Sequence, residues 1–202
     1  EGTELSEEEI RNGFRAGVRA MRFLPVFCGS AIRNIAIHPL MDFGPRRVAV
    51  CTYQAISGAG KTFQSWPEMV DNLIPFIKGE EEKSEKEPMK IWGTPKDGKI
   101  VAASEPVISA QCIRVPATDG HMAAVFVQFE RKPSREVVLE RWRSFVGRPQ
   151  ALGLPSAPRP FLTYFEDDTR PQTKLDRDAG KGMGVTIGRL RPDALFDYRF
   201  VC

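Results

Sequence analysis

VISAQCIRVPATDGHMAAVFVQFE, residues 107–130, reads as two strands, 107–115 and 122–130, separated by ProAlaThrAspGlyHis. β-Branched and apolar residues fill both runs, and the connector is made of turn formers. In the second run Ala123, Val125, Val127 and Phe129 alternate with Met122, Ala124, Phe126 and Gln128, so both faces are largely apolar. A strand apolar on both faces belongs at the centre of a sheet.

Other strands extend the pattern in both directions. RRVAVCTY, residues 46–53, is a strand that runs into the glycine turn Ser57-Gly58-Ala59-Gly60, and residues 23–27, 161–165, 183–190 and 195–201 form further short runs. Three segments read as helices. Ser6 and Glu9 form a capping box ahead of an apolar stripe of Ile10, Phe14, Val18 and Met21 that closes on Arg19 and Arg22. Pro67 to Lys78 reads as a helix entered through Ser65 and stopped by Gly79, with Met69, Leu73 and Ile77 on one face and Pro75 disturbing its last turn. Ser134 caps a third that runs to Gly147, with Val138, Leu139, Trp142, Phe145 and Val146 inward. Strands and helices do not alternate strictly, which predicts an α+β fold with helices on one face of a mixed, largely antiparallel sheet.

Composition excludes several classes. The 202 residues are 42% apolar, enough for a substantial core, and a net charge of +3 spread along the chain is not the basic stripe of a nucleic-acid binder. No run approaches the roughly 20 apolar residues of a membrane span, and the acidic start EGTELSEEEI is unlike a secretory signal, so a cytoplasmic protein is expected. Cys28, Cys51, Cys112 and Cys202 are far apart, with no CxxC pair, so no metal site is expected. Glu1 in place of methionine and the apolar ending Phe200-Val201-Cys202 read as cut ends.

Ala55-Ile56-Ser57-Gly58-Ala59-Gly60-Lys61-Thr62 follows a strand and fits a relaxed phosphate-loop pattern. That motif needs its lysine and hydroxyl at the start of a helix, whereas Pro67 sets the expected helix start beyond it. A tight turn whose glycines permit positive φ is the plainer reading. A nucleotide-binding module remains the alternative function, alongside a non-enzymatic structural chimera.

TYQAISGAG, residues 52–60, resembles the active-site strand and turn of the aspartate-semialdehyde dehydrogenase family. EEEKSEKEPMKIWG at 80–93, CIRVPATDGH at 112–121 and GKGMGVTIGRLRPDALFDYRFV at 180–201 resemble further motifs in that family's order. The resemblance covers about residues 44–202. It implies the substrate-binding and dimerisation domain, with the glyceraldehyde-3-phosphate-dehydrogenase-like C-terminal fold, of an NADPH-dependent enzyme of lysine, threonine and methionine biosynthesis. The implied reaction is reductive dephosphorylation of L-aspartyl 4-phosphate to aspartate semialdehyde, and the implied assembly is a homodimer or higher homo-oligomer.

The resemblance makes His121 the general acid/base, a role suited to a side chain that titrates near neutrality. Arg114 becomes the clamp on the substrate carboxylate, which uses a planar bidentate fork. Glu87 and Lys90 are the pair that touches substrate amine and phosphate, and Gln54 orients the bound intermediate. Outside the resemblance, His121 reads as a loop histidine, Arg114 as half of a surface ion pair, Glu87 and Lys90 as a solvated pair, and Gln54 as a strand-end amide.

The family's Asn-Cys-small-Thr nucleophile motif is absent. Cys28, 26 residues before Gln54, is the positional candidate for nucleophile, with a buried core cysteine as the default. Residues 1–43, through EGTELSEEEIRNGFRAG and FLPVFCGSAIRN, resemble the end of the GTP-binding domain of translation elongation factor G, without its phosphate and magnesium loops. No GxGxxG follows an early strand, so no Rossmann domain is expected in this chain. It is expected to bind no coenzyme alone and to be inactive in isolation.

Overall fold

The strand Arg46–Tyr53 expected from sequence is β1 (Pro45–Gln54), and its neighbours define the sheet. The computed structural model describes Asn12 and residues 36–202. Cys28, the strand 23–27, the turn 29–31 and the helix Ser6 to Arg22, apart from the helical Asn12, lie outside the described residues.

After β1 come α1 (Glu80–Ile91), a small hairpin of β2 (Thr94–Lys96) and β3 (Lys99–Val101), β4 (Val107–Arg114) and β5 (His121–Phe129). Then follow α2 (Arg135–Arg143), α3 (Arg148–Ala151), β6 (Leu162–Phe165), α4 (Thr173–Asp176), β7 (Val185–Pro192) and β8 (Tyr198–Val201). Six strands form one sheet in the order β4-β1-β5-β8-β7-β6. The β4–β1 and β6–β7 pairs are parallel and the other three antiparallel, so the sheet is mixed. As its two apolar faces require, β5 lies inside the sheet.

One face carries the core. Val48, Ala123, Val125, Val127 and Phe129 pack there against Val138, Leu139 and Trp142 of α2. The Trp142 ring lies 5.0 Å from Phe200 and 5.9 Å from Tyr164. α1 covers the same face beside β4, where Ser84 Oγ is 3.6 Å from Cys112 Sγ. Ala36, Ile37 and Leu40 join this core, and Trp142 Nε1 donates to Ala36 O at 2.8 Å. The boundary expected at Gly44 therefore falls inside a packed unit. The opposite face presents Ile113, Tyr53 and Met122 in one row and Gln111, Cys51, Ala124 and Val201 in the next, with no described helix over it.

Two expectations need correction. The segment from Pro67 to Lys78 makes only a short 3₁₀ turn, Pro67–Met69. Pro75 has no N–H for a helical ladder, and Asp71 sits at φ 57°. Its supposed stripe is also split, since Met69 is buried and Leu73 is 59% exposed. The third helix ends at Arg143 and leaves Val146 exposed. The hairpin at Thr94–Val101 was not foreseen, although Asp97-Gly98, with φ of 50° and 72°, is the sequence that such a turn uses.

Candidate active site

β1 ends at Gln54, which pairs with Arg114 on β4 on one side and with His121 on β5 on the other. Residues directly opposite in a sheet point to the same face. Arg114, Gln54 and His121 therefore form one row across three strands and share the core face. Two connectors close around this row. Ala55, Ile56 and Ser57 donate their N–H groups to Gly120, Ala117 and Thr118 carbonyls at 3.0–3.2 Å, which fastens the turn after β1 to the loop between β4 and β5.

The fastening brings Gly58 over the row. A Cβ at Gly58 would stand 2.9 Å from Arg114 Nη1, 3.3 Å from His121 Cε1 and 3.7 Å from His121 Nε2. Guanidinium and imidazole thus converge on one small region, which glycine leaves open.

Arg114 is buried and donates from Nη1 to Ala55 O at 2.7 Å. Burial lowers its pKa from the ordinary value and nearby Glu80 opposes that shift, while a guanidinium stays protonated throughout. Its main chain is held as well, because Arg114 N donates to Ile74 O at 2.8 Å and Ile74 N to Arg114 O at 3.1 Å. Gln54 is buried, and its Nε2 donates to Thr52 Oγ1 and to Glu80 Oε2, each at 3.3 Å. Glu80 opens α1 and forms an ion pair with Lys83 at 3.0 Å.

The contacts of α1 place the remaining expected pair. Its start touches Gln54, Ser84 touches Cys112, and Glu85 accepts from Ala110 N at 3.0 Å, so the helix runs away from the row along β4. Glu87 and Lys90 lie seven and ten residues beyond Glu80, about 10 and 15 Å along the axis at 1.5 Å per residue. The structure does not bring them to the row. The first-turn pair Glu80 and Lys83 stands there instead.

Beside His121, on the other side from Arg114, a cavity of ≈ 210 Å³ is lined by Gly120, Thr173, Arg177, Gly184 and Cys202 among others. Burial pushes the Cys202 thiol up to about 12, so it stays protonated near neutrality. Cys112 is buried behind Ser84, and Cys51 faces the other side of the sheet. Among the described residues there is no cluster of His, Cys, Asp or Glu suited to a metal ion. No described helix is long and apolar enough to cross a membrane.

The turn at Ala55–Thr62 is a 3₁₀ helix, Ile56–Ala59, closed by Gly60 at φ 67°. No α-helix begins at Lys61–Thr62, so the helix N-terminus that a phosphate loop uses is not found there.

Residues 37–202 match the family described as semialdehyde dehydrogenase, dimerisation domain. An aspartate-semialdehyde dehydrogenase of Archaeoglobus fulgidus is 42% identical over 166 residues, 82% of this chain and 47% of that protein. One from Candida albicans is 34% identical over 212 residues, 100% of this chain and 58% of that protein. The crystal structure of the Candida albicans aspartate semialdehyde dehydrogenase with NADP superposes with a TM-score of 0.77 at 33% identity, covering 95% of this chain and 56% of that one. The chain spans about half the length of the curated relatives it matches.

Proposed function

The chain belongs to the semialdehyde dehydrogenase dimerisation-domain family, and from that premise we propose that it is the substrate-binding and self-associating part of an NADPH-dependent aspartate-semialdehyde dehydrogenase. The observation that carries this reading is the convergence of Arg114 and His121 above Gly58 from a row they share with Gln54. In this reading Arg114 grips the substrate carboxylate. Its desolvated fork, already fixed by Ala55 O, offers donors at little ordering cost. His121 exchanges a proton with the reacting oxygen, and Gln54, held by Glu80 and Thr52, keeps the bound group in register.

Glu80 and Lys83 take the places that the sequence resemblance gave to Glu87 and Lys90. Glu80 faces a substrate ammonium, and Lys83 a phosphate, at the mouth of the row. Bound NADPH supplies the hydride in such an enzyme. Among the described residues no glycine-rich turn leads from a strand into an α-helix, so neither a dinucleotide cradle nor hydride delivery is assigned to them. The helix-free sheet face, with Ala49, Cys51 and Ala124 small and flat at its centre, suits pairing with a second copy.

A calorimetric titration of the purified chain with L-aspartate semialdehyde tests this reading, alongside an assay with phosphate and NADP⁺. Saturable binding is expected, weaker by about tenfold or more in Arg114→Lys, which keeps the charge and loses the fork. No NADPH should form. Turnover by these residues alone, or binding indifferent to Arg114→Lys, would overturn the proposal.

A further inference from the structure

At the far side of the sheet from Arg114, three arginines gather where β7 bulges against β8, with Arg191 and Arg199 on the helix-free face. The pairing shifts between Gly188 and Arg191, and Arg189 occupies the left-handed region at φ 62°. Arg191 pairs directly with Arg199 across the two strands. Like charges so placed repel.

Their neutralisation is incomplete. Arg189 pairs with Asp168 at 2.6 Å and Arg199 with Asp193 at 3.4 Å, while Arg191 has no ion pair among the described residues. Asp193 is further engaged by the N–H groups of Leu195 and Phe196. Arg191 Nη1 donates to Arg189 O at 3.0 Å, and Arg199 Nε is buried without a hydrogen-bond partner. Burial, then Arg189 and Arg199, lower the Arg191 pKa, and nearby Asp168 and Asp193 only partly oppose that shift. A chain standing alone gains nothing from placing two half-buried arginines directly opposite one another.

We propose that the Arg189–Arg191–Arg199 cluster is the polar anchor of the self-association face and receives a carboxylate side chain from a second copy of this chain. The proposal rests on the self-association reading above. Continuity favours this occupant: Arg199 lies in one row with Phe126 and Ala49, and Val201 in the next with Ala124 and Cys51. Three guanidiniums beside two carboxylates leave a positive excess within that surface. In a two-fold pairing the same face meets itself, so the cluster and its anion are both supplied by it.

Sedimentation of the wild type, Arg191→Met and Arg191→Lys at low and high salt tests the proposal, together with urea midpoints measured at dilutions where the chain is monomeric. The wild type is expected to dimerise. Arg191→Met should raise the dissociation constant about tenfold or more and Arg191→Lys less. The monomer's urea midpoint should hold or rise in Arg191→Met, because the repulsion with Arg199 is relieved. That opposite sign separates an anchor from a residue that merely supports folding. A wild type that is monomeric at every concentration overturns the self-association reading itself. A dimer that Arg191→Met leaves unchanged overturns the anchor alone. Inorganic phosphate that stabilises the monomer through Arg191 without affecting association also overturns it, by making the cluster a free-anion site.

Discussion

At Gly58 the backbone passes so close to the row that even a methyl group meets Arg114 Nη1 at 2.9 Å. Gly58→Ala must push aside a guanidinium that is buried and bonded to Ala55 O. We expect its affinity for aspartate semialdehyde to fall by about five- to tenfold, the cost of straining one such bond at about 1 kcal/mol. Stability should fall by a similar ~1 kcal/mol, because the same bond is strained in the unliganded fold. Calorimetry on the variant checks this, and undiminished affinity would place the ligand elsewhere. Arg114 and His121, seven residues apart across one connector, were legible because strand pairing folds that spacing back on itself. Glu80 was not. EEEKSEKEPMK holds glutamate three residues before lysine at both 80/83 and 87/90, and a shift of seven residues is nearly two helical turns, so both pairs occupy the same helix face. The docking of the helix start against Gln54 is what favours Glu80 and Lys83 in the proposed reading.

Edge strand β4 shows a second use of the same helix. An edge strand presents unpaired N–H groups that invite another chain. Here Ala110 N donates to Glu85 Oε1 at 3.0 Å, Cys112 N to Glu81 Oε1 at 3.1 Å and Arg114 N to Ile74 O at 2.8 Å. The acidic face of α1 thus blunts the edge. Glu85→Ala is expected to lower stability by about 1.5–3 kcal/mol, the worth of a hydrogen bond to a charged acceptor, and to raise light scattering on storage. A urea midpoint and scattering equal to wild type would show that the edge needs no such cover. The strands were readable because alternation and β-branched residues specify them locally, as in β5. Pro67 to Lys78 was misread because Met69, Leu73 and Ile77 repeat at helical spacing by accident. Ile74 gains more by bracketing Arg114 than the segment gains from a helix already broken at Pro75.

At the scale of the whole sheet, the two proposed tasks fall on opposite faces. Its core face holds α1, α2 and the row at one end, and its free face carries a flat apolar centre flanked by arginines. The fold class follows from strand patterns alone. Which residues face each other depends on register across β4, β1 and β5, a relation among segments as much as 84 residues apart, as between Pro45 and Phe129. The measurement that bears most directly on the central claim is a histidine side-chain NMR titration with L-aspartate semialdehyde. The chain has two histidines, His38 and His121, and His38 lies away from the row beside Phe145 and Trp92. The His121 ring signals should shift to saturation at one ligand per chain while those of His38 stay fixed, and Arg114→Lys should move the midpoint at least about tenfold higher. If the His121 signals stay in place, or titrate identically in Arg114→Lys, then guanidinium and imidazole do not hold the same anion.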